Sequence, residues 1–199
     1  MMNIGHRRFL LVMAVMILAT GVALASVHPT GGWHVSGEGL LLSTAGTGGL
    51  GYGFEFGGYI GGDMNRWSQF YGELSTTCGK SEISTSRFSS IKPPADIFLG
   101  AGWCFSPGAG WSLALSGGFA AMKISTAPDV WATGVYAQVT PRWQIGEFEQ
   151  VPYYNYSISF PMKVAFAGDV MHIRIGIALG ADVSIYRNRR GNSFTEVSY

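Results

Sequence analysis

The chain has 199 residues, a formal net charge of +1 and only 13% charged residues, against 47% hydrophobic residues, 14% aromatics and 29 glycines. A soluble domain carries about 25% charged residues, and nucleic-acid binding leaves a basic footprint that this balance lacks. With two cysteines, Cys78 and Cys104, the chain is not a disulfide scaffold.

The N-terminus reads M-M-N-I-G-H-R-R, then runs apolar from Phe9 to Ala25 and closes Ala23-Leu24-Ala25 before Ser26. A basic start, an apolar middle and small residues before the cut make a secretory signal peptide. The expected division is a leader over residues 1–25, cleavage between Ala25 and Ser26, and one mature domain over residues 26–199. The apolar run falls short of the roughly 20 residues that a membrane helix needs, and no Cys follows it to carry a lipid anchor. Without Arg7 and Arg8 the mature chain holds eleven basic and twelve acidic residues. No nucleic-acid partner is therefore expected. An exported, apolar chain with no later helical span points to a β-barrel.

Eight strands follow in order: Trp33–Ser43, Leu50–Ile60, Trp67–Cys78, Ala95–Phe105, Trp111–Ile124, Val130–Trp143, Tyr153–Phe166 and Val170–Tyr186. Each is long enough for the roughly 9–11 residues of a tilted membrane strand. Between them stand turn residues such as Gly61-Gly62-Asp63, Ser106-Pro107-Gly108 and Ala167-Gly168-Asp169. The last strand alternates most strictly. Met171, Ile173, Ile175, Ile177, Leu179, Ala181, Val183 and Ile185 are apolar, whereas His172, Arg174, Gly176, Ala178, Gly180, Asp182, Ser184 and Tyr186 are polar, small or amphipathic. A period of two separates these sets onto opposite faces of a strand. The second strand slips in this pattern at Gly57-Gly58, where a bulge or kink is expected. A soluble barrel also alternates, but its outer face usually carries many charges. The predicted fold is all-β, an eight-stranded antiparallel up-and-down transmembrane barrel. Ten strands is the minor alternative, adding Ser81–Ser89 and the tail Ser193–Tyr199. The tail over residues 187–199, with Arg187, Arg189 and Arg190, is expected at anionic headgroups.

With both termini on the periplasmic side, Trp33, Trp67 and Trp111 begin outward strands while Trp103 and Trp143 end returning ones. These five are expected to form one aromatic girdle. The longest linker, Gly79 to Pro94, then falls outside the cell. The inward faces carry Glu38, Glu55 and Glu73 on strands one to three, and Arg142, Lys163, His172 and Arg174 on strands six to eight. Charges inside such a barrel need partners, so a lumen charge network is expected, with Glu55 and Arg174 as one pair. Small inward residues, including Gly100, Gly102, Ser116, Gly176 and Gly180, leave room for a conduit or pocket. His34, Ser36 and Glu38 share one strand face, but neighbours two apart lie nearly 7 Å from each other, too far for a relay centred on Ser36. No catalytic site, metal-ligand spacing or cofactor motif is predicted, and the chain is not expected to be an enzyme.

These patterns together resemble the small outer-membrane barrels of diderm bacteria, the OmpW/OprG-like and OmpA/OmpX-like proteins. The resemblance implies a cell outer membrane location, contact with membrane lipid and lipopolysaccharide, and folding by the barrel-assembly machinery. Substrates of that machinery end polar-x-Gly-x-x-apolar-x-apolar with a terminal aromatic. Val197-Ser198-Tyr199 matches the end, although Phe194 stands where Gly is expected, and Gly180-x-x-Val183-x-Ile185 matches the core inside strand eight. The functional expectation is a narrow porin-like channel or small-molecule-binding barrel for passive transport, with a small apolar solute implied by the OmpW-like resemblance. The alternative is a non-conducting structural or adhesin-like barrel acting through its extracellular loops.

Overall fold

The structure, a computed structural model, describes residues 29–44, 47–65, 67–83, 89–91, 96–108, 110–126, 129–148 and 153–184. The leader, the Ala25–Ser26 cut and the tail over residues 187–199 lie outside the described residues. Ten strand segments appear: β1 Pro29–Thr44, β2 Thr47–Asn65, β3 Ser68–Ile83, β4 Ser89–Ile91, β5 Ile97–Gly108, β6 Trp111–Thr126, β7 Asp129–Phe148, β8 Tyr153–Ser159, β9 Met162–Ala167 and β10 Val170–Ser184. Every pairing is antiparallel, and β10 pairs back onto β1 from Thr30↔Ser184 to Ser43↔Met171. The sheet closes, so it has no free edge along its length.

The ten segments make eight staves. β8 and β9 form one stave broken at Phe160-Pro161, with both halves paired to β7 and β10. Proline has no N–H to give the ladder. The neighbouring bonds persist, Phe160 N donating to Pro141 O at 3.0 Å and Gly176 N to Pro161 O at 3.0 Å, so alternation runs through the break unchanged. Likewise β4 pairs with β3 along the edge that β5 occupies lower down, one residue out of register with it. Ser81–Ile83 and Ser89–Ile91 thus lengthen staves three and four instead of adding a crossing. Among the described residues the crossings number eight.

The register of β2 with β3 is continuous from Gly49↔Ile83 to Asp63↔Gln69. The bulge expected at Gly57-Gly58 is absent there and falls between Asp63 and Asn65 instead. Gly57 is small for another reason: a Cβ there would strike the His34 ring. The sixth strand continues past Trp143 to Phe148 through a bulge at Gln144/Gly146. At the Ala167–Val170 hairpin, Gly168 takes a left-handed conformation (φ 59°), as a two-residue turn requires.

Alternation sorts the two faces as expected. Leu50, Tyr52, Phe54, Ile175, Ile177 and Leu179 are exposed on the outer wall, whereas Ser36, Glu38, Glu55, Lys163, His172 and Arg174 are buried inside. A soluble fold would bury the first set. An apolar exterior around a polar interior is the membrane-barrel arrangement. The chain begins β1 and ends β10 at the same mouth, called here the near mouth.

Candidate functional site: a two-part lumen

At mid-height the lumen is crossed by ion pairs from five staves. Lys163 on β9 donates to Glu55 on β2 at 2.6 Å and to Ser75 on β3 at 3.4 Å, and its ammonium sits 4.0 Å from the centroid of the Phe98 ring. Arg174 on β10 donates to Glu38 on β1 at 3.1 Å and to Asp96, just ahead of β5. Asp96 also accepts from the Lys123 backbone N–H at 3.3 Å, and His172 lies 3.4 Å from its carboxylate. The side chains of Lys163 and Glu55 are each only 2% exposed. Such pairs persist in an apolar setting because each charge has an opposite charge and further hydrogen bonds. Toward the far mouth, Phe98, Ala120, Met122, Tyr136, Ala165 and Ala167 form an apolar cluster against this plug. The charged side chains in the middle of the lumen are almost wholly buried.

Toward the near mouth the interior changes character. Arg142 on β7 donates to Asp182 on β10 at 3.2 Å, and the Tyr59 hydroxyl donates to the same carboxylate. Gln69 donates to Thr30, and Gln144 to Asn155 at 3.2 Å. The Arg142–Asp182 bridge borders two cavities. One, of about 60 Å³, is lined by Gln69, Cys104, Ser112, Gln144 and Asn155; the other, of about 20 Å³, lies deeper beside His34, Glu73 and Gln138. A water needs roughly 10–15 Å³ of such space, so these volumes suit a few waters and no drug-sized solute.

Every residue of the expected charge network faces inward, but the pairing differs from the expected one. Glu55 holds Lys163 and His34 (3.3 Å), and Arg174 holds Glu38 and Asp96, so the Glu55–Arg174 pair does not form. Glu73 accepts from the Tyr136 hydroxyl at 2.6 Å. Asp96 and Asp182 belong to the network and were not singled out from the sequence. The signal was present, since the alternation that places Phe98 and Arg174 inside places them inside as well. The free volume expected over the small residues is filled at Gly100, Gly102 and Gly176, whereas Ser112, Ala114, Ala178 and Gly180 line the two small cavities. A Cβ on Gly100 would meet the Tyr136 hydroxyl, one on Gly102 the Tyr71 ring, and one on Gly176 the Glu38 side chain. Large side chains on other staves occupy what small ones vacate. Ser36 donates to Glu38 at 3.1 Å while His34 turns to Glu55, so these three residues do not form a relay.

Trp33, Trp67, Trp103, Trp111 and Trp143 are all exposed on the outer wall. They lie toward the near mouth, with Trp111 opposite Trp143 and Trp33 opposite Ala181. Cys78 is exposed, Cys104 is buried in the lumen, and both thiols are free.

No protein-family model matches the chain, and no curated protein gives a significant match. Among solved structures, Ail, the attachment invasion locus protein of Yersinia pestis, superposes with a TM-score of 0.53 at 12% identity, covering 78% of this chain and 99% of Ail. The fold is that of the small outer-membrane barrels. Ail in complex with the heparin analogue sucrose octasulfate gives 0.52 at 13% identity, covering 78% of this chain and 99% of that one. The outer membrane protein OprG from Pseudomonas aeruginosa gives 0.40 at 6% identity over 80% of this chain and 98% of its own length.

Proposed function

We propose that the protein is a non-conducting barrel of the outer membrane of a diderm bacterium, a closed scaffold that works through the loops at its far mouth. The observation that carries this reading is the buried ion-pair plug. Lys163–Glu55 and Glu38–Arg174–Asp96 span the lumen, and opening a path would strand charges that cost several kcal/mol each to leave unpaired. A transport role needs continuous volume, and the two cavities are small and lie on one side of that plug. In this reading the leader over residues 1–25 is removed between Ala25 and Ser26. The five tryptophans anchor the barrel at the periplasmic interface, and the far mouth faces the cell exterior among lipopolysaccharide. The stretch from Lys80, at the far end of β3, through Arg87 and Lys92 then offers cations to anionic surface groups, and the attachment named for Ail supports a surface role. The chain is not an enzyme and needs no cofactor.

Planar-bilayer recordings of refolded protein decide the matter. Silence is expected. Discrete openings would favour the narrow channel for small solutes instead. Salt-sensitive binding of a sulfated oligosaccharide to the refolded barrel, weakened by Lys80→Gln, Arg87→Gln and Lys92→Gln together, is the matching positive result.

A further inference from the structure

Among the described residues two prolines stand inside the wall, away from any hairpin: Pro141 on β7 and Pro161 between β8 and β9. Register fixes what each removes. Arg142↔Ser159 and Val139↔Met162 set Pro141 opposite Phe160, while Ala178↔Ser159 and Ile175↔Met162 set Gly176 opposite Pro161. The two residues of a hydrogen-bonded antiparallel pair exchange two bonds, but proline has only its carbonyl to offer. Phe160 N donates to Pro141 O and Gly176 N to Pro161 O. The return bonds, to Phe160 O and Gly176 O, have no donor in the ladder. This stave therefore lacks one bond on each edge, at consecutive residues. Elsewhere the described ladders shift register only at Asp63/Asn65, Phe105/Gly108, Lys123/Ser125 and Gln144/Gly146, all close to a strand end. Further observations mark the same place. The cavity of about 20 Å³ lies against Pro161, Thr140, Ser159 and Ala178, which flank both gaps. On the outer wall the Phe160 ring meets Trp143 edge-on, with centroids 5.8 Å apart, and so braces the β7 edge. Two residues beyond Pro161, Lys163 holds Glu55 in the plug.

We propose that the Phe160-Pro161 break is a hinge in the wall, at which β9 with its Lys163 moves relative to β8 while the ring stays closed. Lipid tails offer no donor to a freed carbonyl, so opening is favoured from the lumen side. Water in the deeper cavity can take Phe160 O and Gly176 O there. The same movement enlarges that cavity and shifts Lys163 against Glu55. The deeper cavity and the plug are thereby coupled through the backbone of one stave. Segments with fewer ladder bonds open locally at lower cost than the rest of a fold, and this stave is the one so placed at mid-wall.

Hydrogen exchange read by mass spectrometry tests it on the refolded full chain in lipid nanodiscs. Fragments covering Ser159–Val164 and Ile175–Ile177 should exchange at least about tenfold faster than Gly57–Ile60 and Gly72–Ser75, because exchange follows local opening. In those reference stretches the β2–β3 ladder is unbroken. Pro141→Ala together with Pro161→Ala gives back both donors and should slow exchange at the break severalfold, leaving β2–β3 unchanged. Either alanine alone should give part of the effect. Lys163→Met, which releases β9 from the plug, should speed exchange at the break more than in Ala101–Trp103 of β5, which does not pair with β9. Heat-modified mobility on a gel confirms that each variant is folded. Exchange at the β2–β3 rate overturns the proposal. So does fast exchange that survives both alanines, since the missing donors then do not set it. An equal response of β5 and the break to Lys163→Met also overturns it, because the break is then a gap in the ladder with no link to the plug.

Discussion

The plug and the near-mouth tract are built from similar residue types, yet they meet opposite conditions. In the plug, Lys163, Glu55, Arg174 and Asp96 are almost wholly excluded from solvent and are held by one another, by backbone and by the Phe98 ring, with the Arg174 Nε left without a hydrogen-bond partner among the described residues. In the near-mouth tract, the Arg142 and Asp182 side chains keep 18% and 29% of their exposure and stand beside cavities large enough for water. A charge lost from the first leaves its partner buried without its main counter-charge, whereas a charge lost from the second leaves its partner to solvent. Ion pairs of the same composition should therefore differ severalfold in what their removal costs.

The largest effect should come from breaking the plug. Lys163→Met leaves Glu55 buried opposite an apolar chain and should cost about 3–5 kcal/mol, read from urea unfolding of the barrel in lipid vesicles. Adding Glu55→Met should recover most of that loss, since replacing a whole buried pair is often neutral. If the single variant costs under about 1 kcal/mol, as an exposed pair would, water reaches the plug and the contrast with the mouth fails.

Next come the walls. An arginine at Leu179 or Ile177, both exposed on the outer face, should cost about 2–4 kcal/mol at mid-membrane depth. The inward neighbours Gly176 and Ala178 are packed, Gly176 against Glu38 and the Gly37 carbonyl, so arginine there is penalised by volume and not by lipid. The two penalties separate in detergent series of increasing chain length: only the outer-face cost should track the apolar thickness.

Much of this contrast was legible in the sequence. A period of two assigns each residue to lumen or exterior, and it did so for every stave, including β9 beyond Pro161, because the missing N–H weakens one bond without adding a residue. It also placed Asp96 and Asp182 inside. The pairing itself was not legible. Whether Glu55 meets Lys163 or Arg174 depends on stagger around the closed ring, and alternation along a single strand carries no information about stagger. The lumen volume escaped for a similar reason. Gly102 is small, but Tyr71 on β3 covers it, just as Tyr59 on β2 covers Gly32; volume is a property of facing staves. The bulge was misplaced because paired glycines at Gly57-Gly58 look like a break in the pattern, whereas Gly57 makes room for His34.

At the near mouth, Arg142→Gln should cost about 1–2 kcal/mol, between the limits for exposed and buried pairs. In about 0.5 M salt the cost should shrink, because partly exposed charges are screened, while that of Lys163→Met stays unchanged. Equal salt dependence at both sites, measured by the same urea titrations, would erase the distinction between a buried plug and a partly exposed mouth.

The smallest effect sharpens the plug from within. Glu55 and Arg174 lie in one cluster but share no hydrogen bond, Glu55 being held by Lys163 and His34 and Arg174 by Glu38 and Asp96. If the plug is a set of distinct pairs, Glu55→Gln and Arg174→Gln should combine additively within about 0.5 kcal/mol. Glu55→Gln and Lys163→Gln should instead couple by about 1–3 kcal/mol, as residues in direct contact do. A large coupling between Glu55 and Arg174 would mean that the charges act as one network, each ion pair polarising the next across the lumen. Breaking any member would then loosen the whole plug, and the severalfold difference between plug and mouth would reflect connectivity more than burial. A double-mutant cycle over Glu55, Lys163 and Arg174 separates these cases without reference to conductance.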